Sequence, residues 1–283
     1  MAGQDFEIIA ADRTRLRGTL HAAGRPKALL IWLHGFAEHR ARYAEMARWF
    51  NENKISIITM DFRGHGQSDG KRGYIDSFHD YLDDVDALFD YVAANFQRLP
   101  ILLGSHSNGG LIAARYIEDR HYTIRIRGLV FTAPFMRVGV PVPAWKDKMA
   151  RILGGIIPGL SVPSGIDPVL ISHDANMVRG YRDDPMVFTN ATTRWYLETT
   201  KHQSIALERA NRIYLPTLVL QGTADKIVSP EATREFYDGI SSSDKKWISY
   251  DGMFHEILNE VEREKVYKDI LDWVRKYSRK LFF

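Results

Sequence analysis

The chain contains no cysteine. That excludes disulfides, thiolate metal sites and a cysteine nucleophile, and it leaves the redox compartment open. A long apolar run is also missing. The longest stretch, Ala28 to Leu33, is far short of the roughly 20 residues that span a bilayer. Met1 to Arg17 has no apolar core flanked by basic residues, so no signal peptide is expected. Nor is there an excess of one charge. The 38 basic and 35 acidic side chains leave a net charge of +3, without the basic stripe that nucleic-acid binding requires. His34, His79, His106, His121, His173 and His202 form no metal-ligand pattern, so no metal is expected. Gly104 to Gly110 lacks the Lys-Ser/Thr that completes a phosphate loop. These absences leave a cytoplasmic protein with no nucleic-acid partner as the default reading.

What is present is a core. Apolar residues make up 45% of 283, enough for one large domain or two small ones. Short apolar runs alternate with longer amphipathic segments. Ala28 to Leu33, Ile55 to Met60, Pro100 to Leu103, Gly128 to Ala133, Pro216 to Gln221 and Lys246 to Tyr250 read as strands. Arg42 to Asn51, Tyr74 to Phe96, the stretch after Ser107, Pro230 to Ile240 and Val261 to Tyr277 read as helices. Ser229 is placed to cap the fourth of these, with proline at its first position. Strands buried on both faces and alternating with helices predict an α/β fold with a mostly parallel sheet. Phe6 to Ala22 reads as an antiparallel edge hairpin. From Ala133 to about Leu215 the rhythm stops. Pro141, Pro143, Pro158, Pro163, Pro168 and Pro185 punctuate that interval, which predicts a helical insertion at the carboxyl edge of the sheet.

One apolar run climbs into Gly104-Ser105-His106-Ser107-Asn108-Gly109-Gly110 and leaves through Leu111-Ile112-Ala113. That is a strand, a sharp turn with one serine at its apex, and a helix. A serine hydroxyl needs a base to take its proton and a carboxylate to orient that base. In doubly wound hydrolases the acid and then the histidine follow the serine along the chain. Asp225 follows the run ending at Gln221, and His255 follows the run ending at Tyr250. Ser107, Asp225 and His255 thus fall at carboxyl ends of strands, where open α/β sheets place their sites. Asp251 is the rival acid, but it lies too close before His255. An oxyanion site needs two backbone N–H groups. Asn108, at a helix start, and Phe36, after His34-Gly35, are the candidates.

These residues carry a resemblance. His34-Gly35-Phe36-Ala37-Glu38-His39 with Arg42-Tyr43, then Asp61-Phe62-Arg63-Gly64-His65-Gly66-Gln67-Ser68-Asp69-Gly70, join the serine turn, the Gln221 to Pro230 loop and Asp251 to Glu256. Together they resemble the α/β-hydrolase superfamily, within it the monoacylglycerol lipase and lysophospholipase group, from about residue 6 to the C-terminus. The resemblance departs at Ser105, where the usual elbow has glycine, and at Asn108, where methionine is common. Glu38, His39, Arg63 and His65 are read as supports that tie loops together.

The resemblance implies one α/β-hydrolase domain over 1–283 with a helical cap over 135–205. It implies a serine carboxylester hydrolase acting on lipid monoesters, monoacylglycerol first, through an acyl-enzyme and without a cofactor. Lysophospholipase, short-chain carboxylesterase and peptidase are the alternatives within enzymes. A catalytically silent hydrolase-fold binding protein is the alternative outside them. Val142, Trp145, Met149, Ile152, Leu153 and Ile156 recur at three and four residues, one apolar helix face with Lys146, Lys148 and Arg151 off it. The stripe either packs on the body or, as the resemblance favours, lines an acyl pocket in the cap and contacts a membrane surface transiently. The basic and aromatic tail Arg279 to Phe283 is a second candidate for such contact or a packed terminus.

Overall fold

A computed structural model describes residues 3–96, 98–139, 145 and 152–279. Eight strands form the main sheet: β1 (Gln4–Ile9), β2 (Arg15–His21), β3 (Ala28–Leu33), β4 (Ile55–Met60), β5 (Ile101–His106), β6 (Ile126–Thr132), β9 (Thr217–Gly222) and β10 (Lys245–Tyr250). Their order is β1-β2-β4-β3-β5-β6-β9-β10. The β1–β2 hairpin is antiparallel and joins β4 antiparallel, while β4, β3, β5, β6, β9 and β10 are mutually parallel. The expected parallel sheet with an antiparallel edge is the observed one.

The strand sequences explain the layering. Every residue of β3, β4, β5 and β9 is buried, so alternate side chains feed opposite faces. Leu29, Ile31 and Leu33 point to one core, which α2 (His79–Asn95), α3 (Asn108–Asp119) and α6 (Pro230–Gly239) cover. Leu30 and Trp32 point to the other, under α1 (Ala44–Glu52) and α7 (Arg263–Ser278). Ser229 caps α6 by accepting the Ala232 N–H at 3.1 Å.

Boundaries differ from the sequence reading where side chains compete for the backbone. A 3₁₀ turn, Arg40–Tyr43, precedes α1. Helix α2 starts at His79 rather than Tyr74, because Asp80 accepts the N–H groups of Asp76 and Ser77 and holds the preceding turn non-helical. In the interval from 133 to 215 no described residue joins the main sheet. Residues 152–156 are helical, and α4 (Ala175–Asp183) and α5 (Thr193–Arg209) follow. The sequence reading missed a short antiparallel pair, β7 (Ser161–Pro163) with β8 (Asn190–Thr192). Three-residue strands leave too little alternation to be read. Among the described residues no helix is long and apolar enough to cross a membrane.

Candidate active site

Strand β5 delivers Ser107 into a conformation that side chains rarely adopt, φ 51° and ψ −120°. The strain lifts the hydroxyl to the apex between β5 and α3. Small residues make the turn possible. A Cβ on Gly109 would lie 2.4 Å from the Leu33 carbonyl oxygen, and one on Gly110 would lie 2.7 Å from Pro134. Ser105, in the place of the usual glycine, is fully buried and hydrogen-bonded. Its Oγ donates to the Val130 carbonyl at 3.2 Å, and Thr132 Oγ1 donates to its own carbonyl at 3.0 Å.

The three strand-end loops converge. Ser107 Oγ lies 2.9 Å from His255 Nε2, and His255 Nδ1 lies 2.8 Å from Asp225 Oδ2. A carboxylate accepts only, so Nδ1 carries the proton and Nε2 faces the serine as a base. Asp225 is held further by the Ile227 and Val228 N–H groups at 2.9 Å and by Gln221 Nε2 at 3.0 Å. All three side chains are buried. Burial disfavours the charge on Asp225, but His255 and these hydrogen bonds outweigh it and lower its pKa. Burial likewise works against charged His255, and Asp225, Glu256 and Glu38 outweigh it and raise its pKa. Asp251, the rival acid, is exposed and accepts from Thr223 Oγ1 at 3.2 Å. His106 packs its ring 4.8 Å from that of His255, and burial holds it neutral, with a pKa lowered to about 4.

The loop after β3 turns through Ala37 at φ 64° and brings Gly35 against the serine, where a Cβ would sit 3.1 Å from Ser107 Cβ. His34 Nδ1 donates to the Gly35 carbonyl at 2.7 Å and His34 Nε2 accepts from the Phe62 N–H at 3.0 Å, fixing the loop. The Gly35 N–H is committed to Glu38 at 2.6 Å. Among the described residues, none accepts from the N–H of Phe36 or Asn108. The Asn108 side chain is buried with its Oδ1 unpaired.

Of the stripe expected to line an acyl pocket, three of the four described residues are exposed. Trp145 is 62% exposed, Ile156 is 72% exposed, Ile152 is exposed too, and Leu153 is half-buried. Met149 and Val142 lie outside the described residues, as does the tail beyond Arg279. The insertion instead meets the site through residues that periodicity did not single out. The Phe36 ring packs 3.8 Å from Trp195 and 5.1 Å from Phe188. His39 Nε2 donates to Asp184 at 2.8 Å, and the Glu256 N–H donates to the Ile171 carbonyl at 2.7 Å. Single aromatic residues carry no periodic signal, so these contacts needed the tertiary arrangement. No group of described residues is arranged to hold a metal ion.

A phospholipase, YtpA, of Bacillus subtilis is 30% identical over 87% of this chain and 94% of its own. A monoacylglycerol lipase of Mycolicibacterium smegmatis is 28% identical over 88% of each. The crystal structure of Paleococcus ferrophilus monoacylglycerol lipase superposes with a TM-score of 0.82 at 28% identity, covering 98% of this chain and 100% of that one. The family model described as serine aminopeptidase, S33 (Hydrolase_4) matches residues 24–262. So broad a match decides membership: the chain belongs to the S33 serine aminopeptidase family, and it is a serine hydrolase of the α/β-hydrolase fold.

Proposed function

We propose that the protein hydrolyses carboxylic esters of lipid monoesters, monoacylglycerol foremost, with Ser107 as nucleophile, His255 as base and Asp225 as its orienting acid. The chain of hydrogen bonds from Ser107 to His255 to Asp225, at 2.9 and 2.8 Å, is the observation that carries the reading. Ser107 Oγ attacks the ester carbonyl while its proton passes to His255 Nε2. The carbonyl oxygen becomes an oxyanion, held by the N–H groups of Phe36 and Asn108. The α3 N-terminus adds its dipole there. His255 then gives its proton to the leaving glycerol oxygen, and the acyl group stays on Ser107. Water, deprotonated by His255, attacks the acyl-enzyme and releases the fatty acid. These steps use side chains and water alone, and no cofactor enters.

The lipid assignment rests on the relatives' activities and on the aromatic wall of Phe36, Phe188 and Trp195. Residues 135–205 serve as a cap in this reading, on one catalytic domain. Trp145, Ile152 and Ile156 face outward, which suits transient contact with a lipid surface by a cytoplasmic enzyme better than the lining of a closed acyl pocket. The phospholipase relative keeps a lysophospholipase as the second reading. A peptidase reading has less support. The carboxylates nearest the triad other than Asp225, Glu38 and Glu256, are both paired with Arg42 and are not free to receive a substrate amine.

The test is fatty-acid release from a monoacylglycerol and from a matched lysophosphatidylcholine, with wild type and Ser107→Ala. Release chiefly from monoacylglycerol, abolished in the variant, is expected. Preference for lysophosphatidylcholine would replace the substrate assignment. Undiminished release by Ser107→Ala would remove the nucleophile.

A further inference from the structure

Next to the triad lies a second group of charges that the mechanism above does not use. Arg42 donates through both terminal nitrogens to the two oxygens of Glu256, at 2.7 Å each. The same guanidinium donates to Glu38 at 2.8 Å. The other Glu38 oxygen accepts the Gly35 N–H at 2.6 Å and the Tyr43 hydroxyl at 2.7 Å. The Arg42, Glu38 and Glu256 side chains are only 9%, 4% and 6% exposed. The Tyr181 ring, from α4, stacks 4.7 Å from the guanidinium and closes the group from above.

Burying two carboxylates with one guanidinium is a poor route to stability, because desolvation consumes most of the attraction. Position gives the group its meaning. Glu38 holds the residue before Phe36, and Glu256 follows His255 directly. Arg42 is therefore the joint between the loop that carries one oxyanion donor and the loop that carries the base. We infer that Glu38, Arg42 and Glu256 act as positioning residues, a buried ionic bridge that sets the oxyanion loop against the histidine loop and leaves one surplus negative charge beside the imidazole. The inference rests on the assignment of Ser107, His255 and Phe36 made above.

Electrostatics agree with the geometry. Burial alone would raise the Glu38 carboxyl, but Arg42 overcomes it and holds its pKa at about 2, so Glu38 stays ionised. The charged or titratable groups around His255 are Asp225 from the loop after β9, His106 from β5, Glu38 and Arg42 from the loop after β3, and Glu256 from its own loop. Asp225 acts most strongly in favour of charged His255, and Glu256 and Glu38 follow it. The imidazolium formed during serine attack is therefore favoured by the bridge as well as by the triad acid.

The experiment uses the full chain and p-nitrophenyl butyrate, a soluble ester that avoids interface effects. Three variants are compared with wild type: Glu256→Gln, Arg42→Lys, and the combined Glu38→Gln/Arg42→Met/Glu256→Gln. The last removes every charge of the group while nearly keeping volume, so no buried ion is left stranded. Expected is a fall in kcat of about 10- to 100-fold with KM within about threefold, the pattern of an interaction that matters in the transition state. The acid limb of kcat/KM is expected at lower pH in Glu256→Gln. Arg42→Lys keeps the charge but loses the fork, and should recover only part of the rate. A folded triple variant with wild-type kcat and an unmoved acid limb would overturn the bridge. Labelling by a fluorophosphonate probe separates this from the underlying reading. If the wild type fails to label, the Ser107 assignment falls and the bridge with it. If wild type and variants label alike and turn over alike, only the bridge falls.

Discussion

At the scale of single residues, the proposed mechanism makes the imidazole of His255 the group whose state decides the rate. Its protonated form cannot accept the Ser107 proton. Its pKa is raised in the folded protein, burial being outweighed by Asp225, Glu256 and Glu38. The active, neutral form is therefore lost as pH falls through a value above the ordinary histidine value of about 6.5. A plot of kcat/KM against pH on a soluble ester should show its acid limb above that value. A limb at or below it would contradict the electrostatics described for the site. The convergence of Ser107, Asp225 and His255 was legible in the sequence, because each follows an apolar run and a turn. The Ser107 backbone strain and the Arg42 joint were not. The first depends on dihedral angles. The second depends on two loops more than 200 residues apart in the chain meeting through one guanidinium.

At the scale of elements, strands and long helices followed from apolar spacing, since β3, β4, β5 and β9 are buried on both faces and tolerate little else. In the Asp61 to Gly70 loop Arg63 is a structural tie, as its sequence context suggests: the guanidinium forks onto buried Asp84 of α2 at 2.7 to 3.1 Å and reaches Asp12 at 2.7 Å. The stripe from Trp145 to Ile156 was harder. A helical period says that one face is apolar but not what covers it. With Trp145 and Ile156 facing outward, Trp145→Asp should weaken hydrolysis of long-chain monoacylglycerol presented in vesicles or micelles by about tenfold. Activity on butyrate in solution should change by less than about twofold. The comparison of the two kcat/KM ratios checks this, and equal losses on both would assign Trp145 to the fold instead.

At the scale of the whole molecule, the site is assembled across the sheet and inherits the sheet's uneven stability. Ser107 leaves the central strand β5, whereas Asp225 and His255 follow β9 and β10, the last two strands on one side. Strand β10 is the edge, and five of its six residues are partly or fully exposed. Edge elements with few buried contacts open at lower free energy than the centre. In a urea titration, esterase activity should therefore disappear before far-UV circular dichroism reports loss of the sheet. Coincident midpoints would mean that the edge and centre unfold as one unit.

The insertion also has a consequence for how such proteins can be rebuilt. It grips the loop after β3 through Asp184 on His39 and the loop after β10 through Ile171 on Glu256, with Tyr181 seated on Arg42 between them. A cover attached in this way is not a module that can be exchanged at its ends. A chimera that takes its insertion from a relative should work only if the donor segment brings its own matches for the contacts at 171, 181 and 184. A chimera that grafts only the outward residues around 152–157 and keeps those anchors native should change which surface the enzyme meets while leaving its chemistry intact.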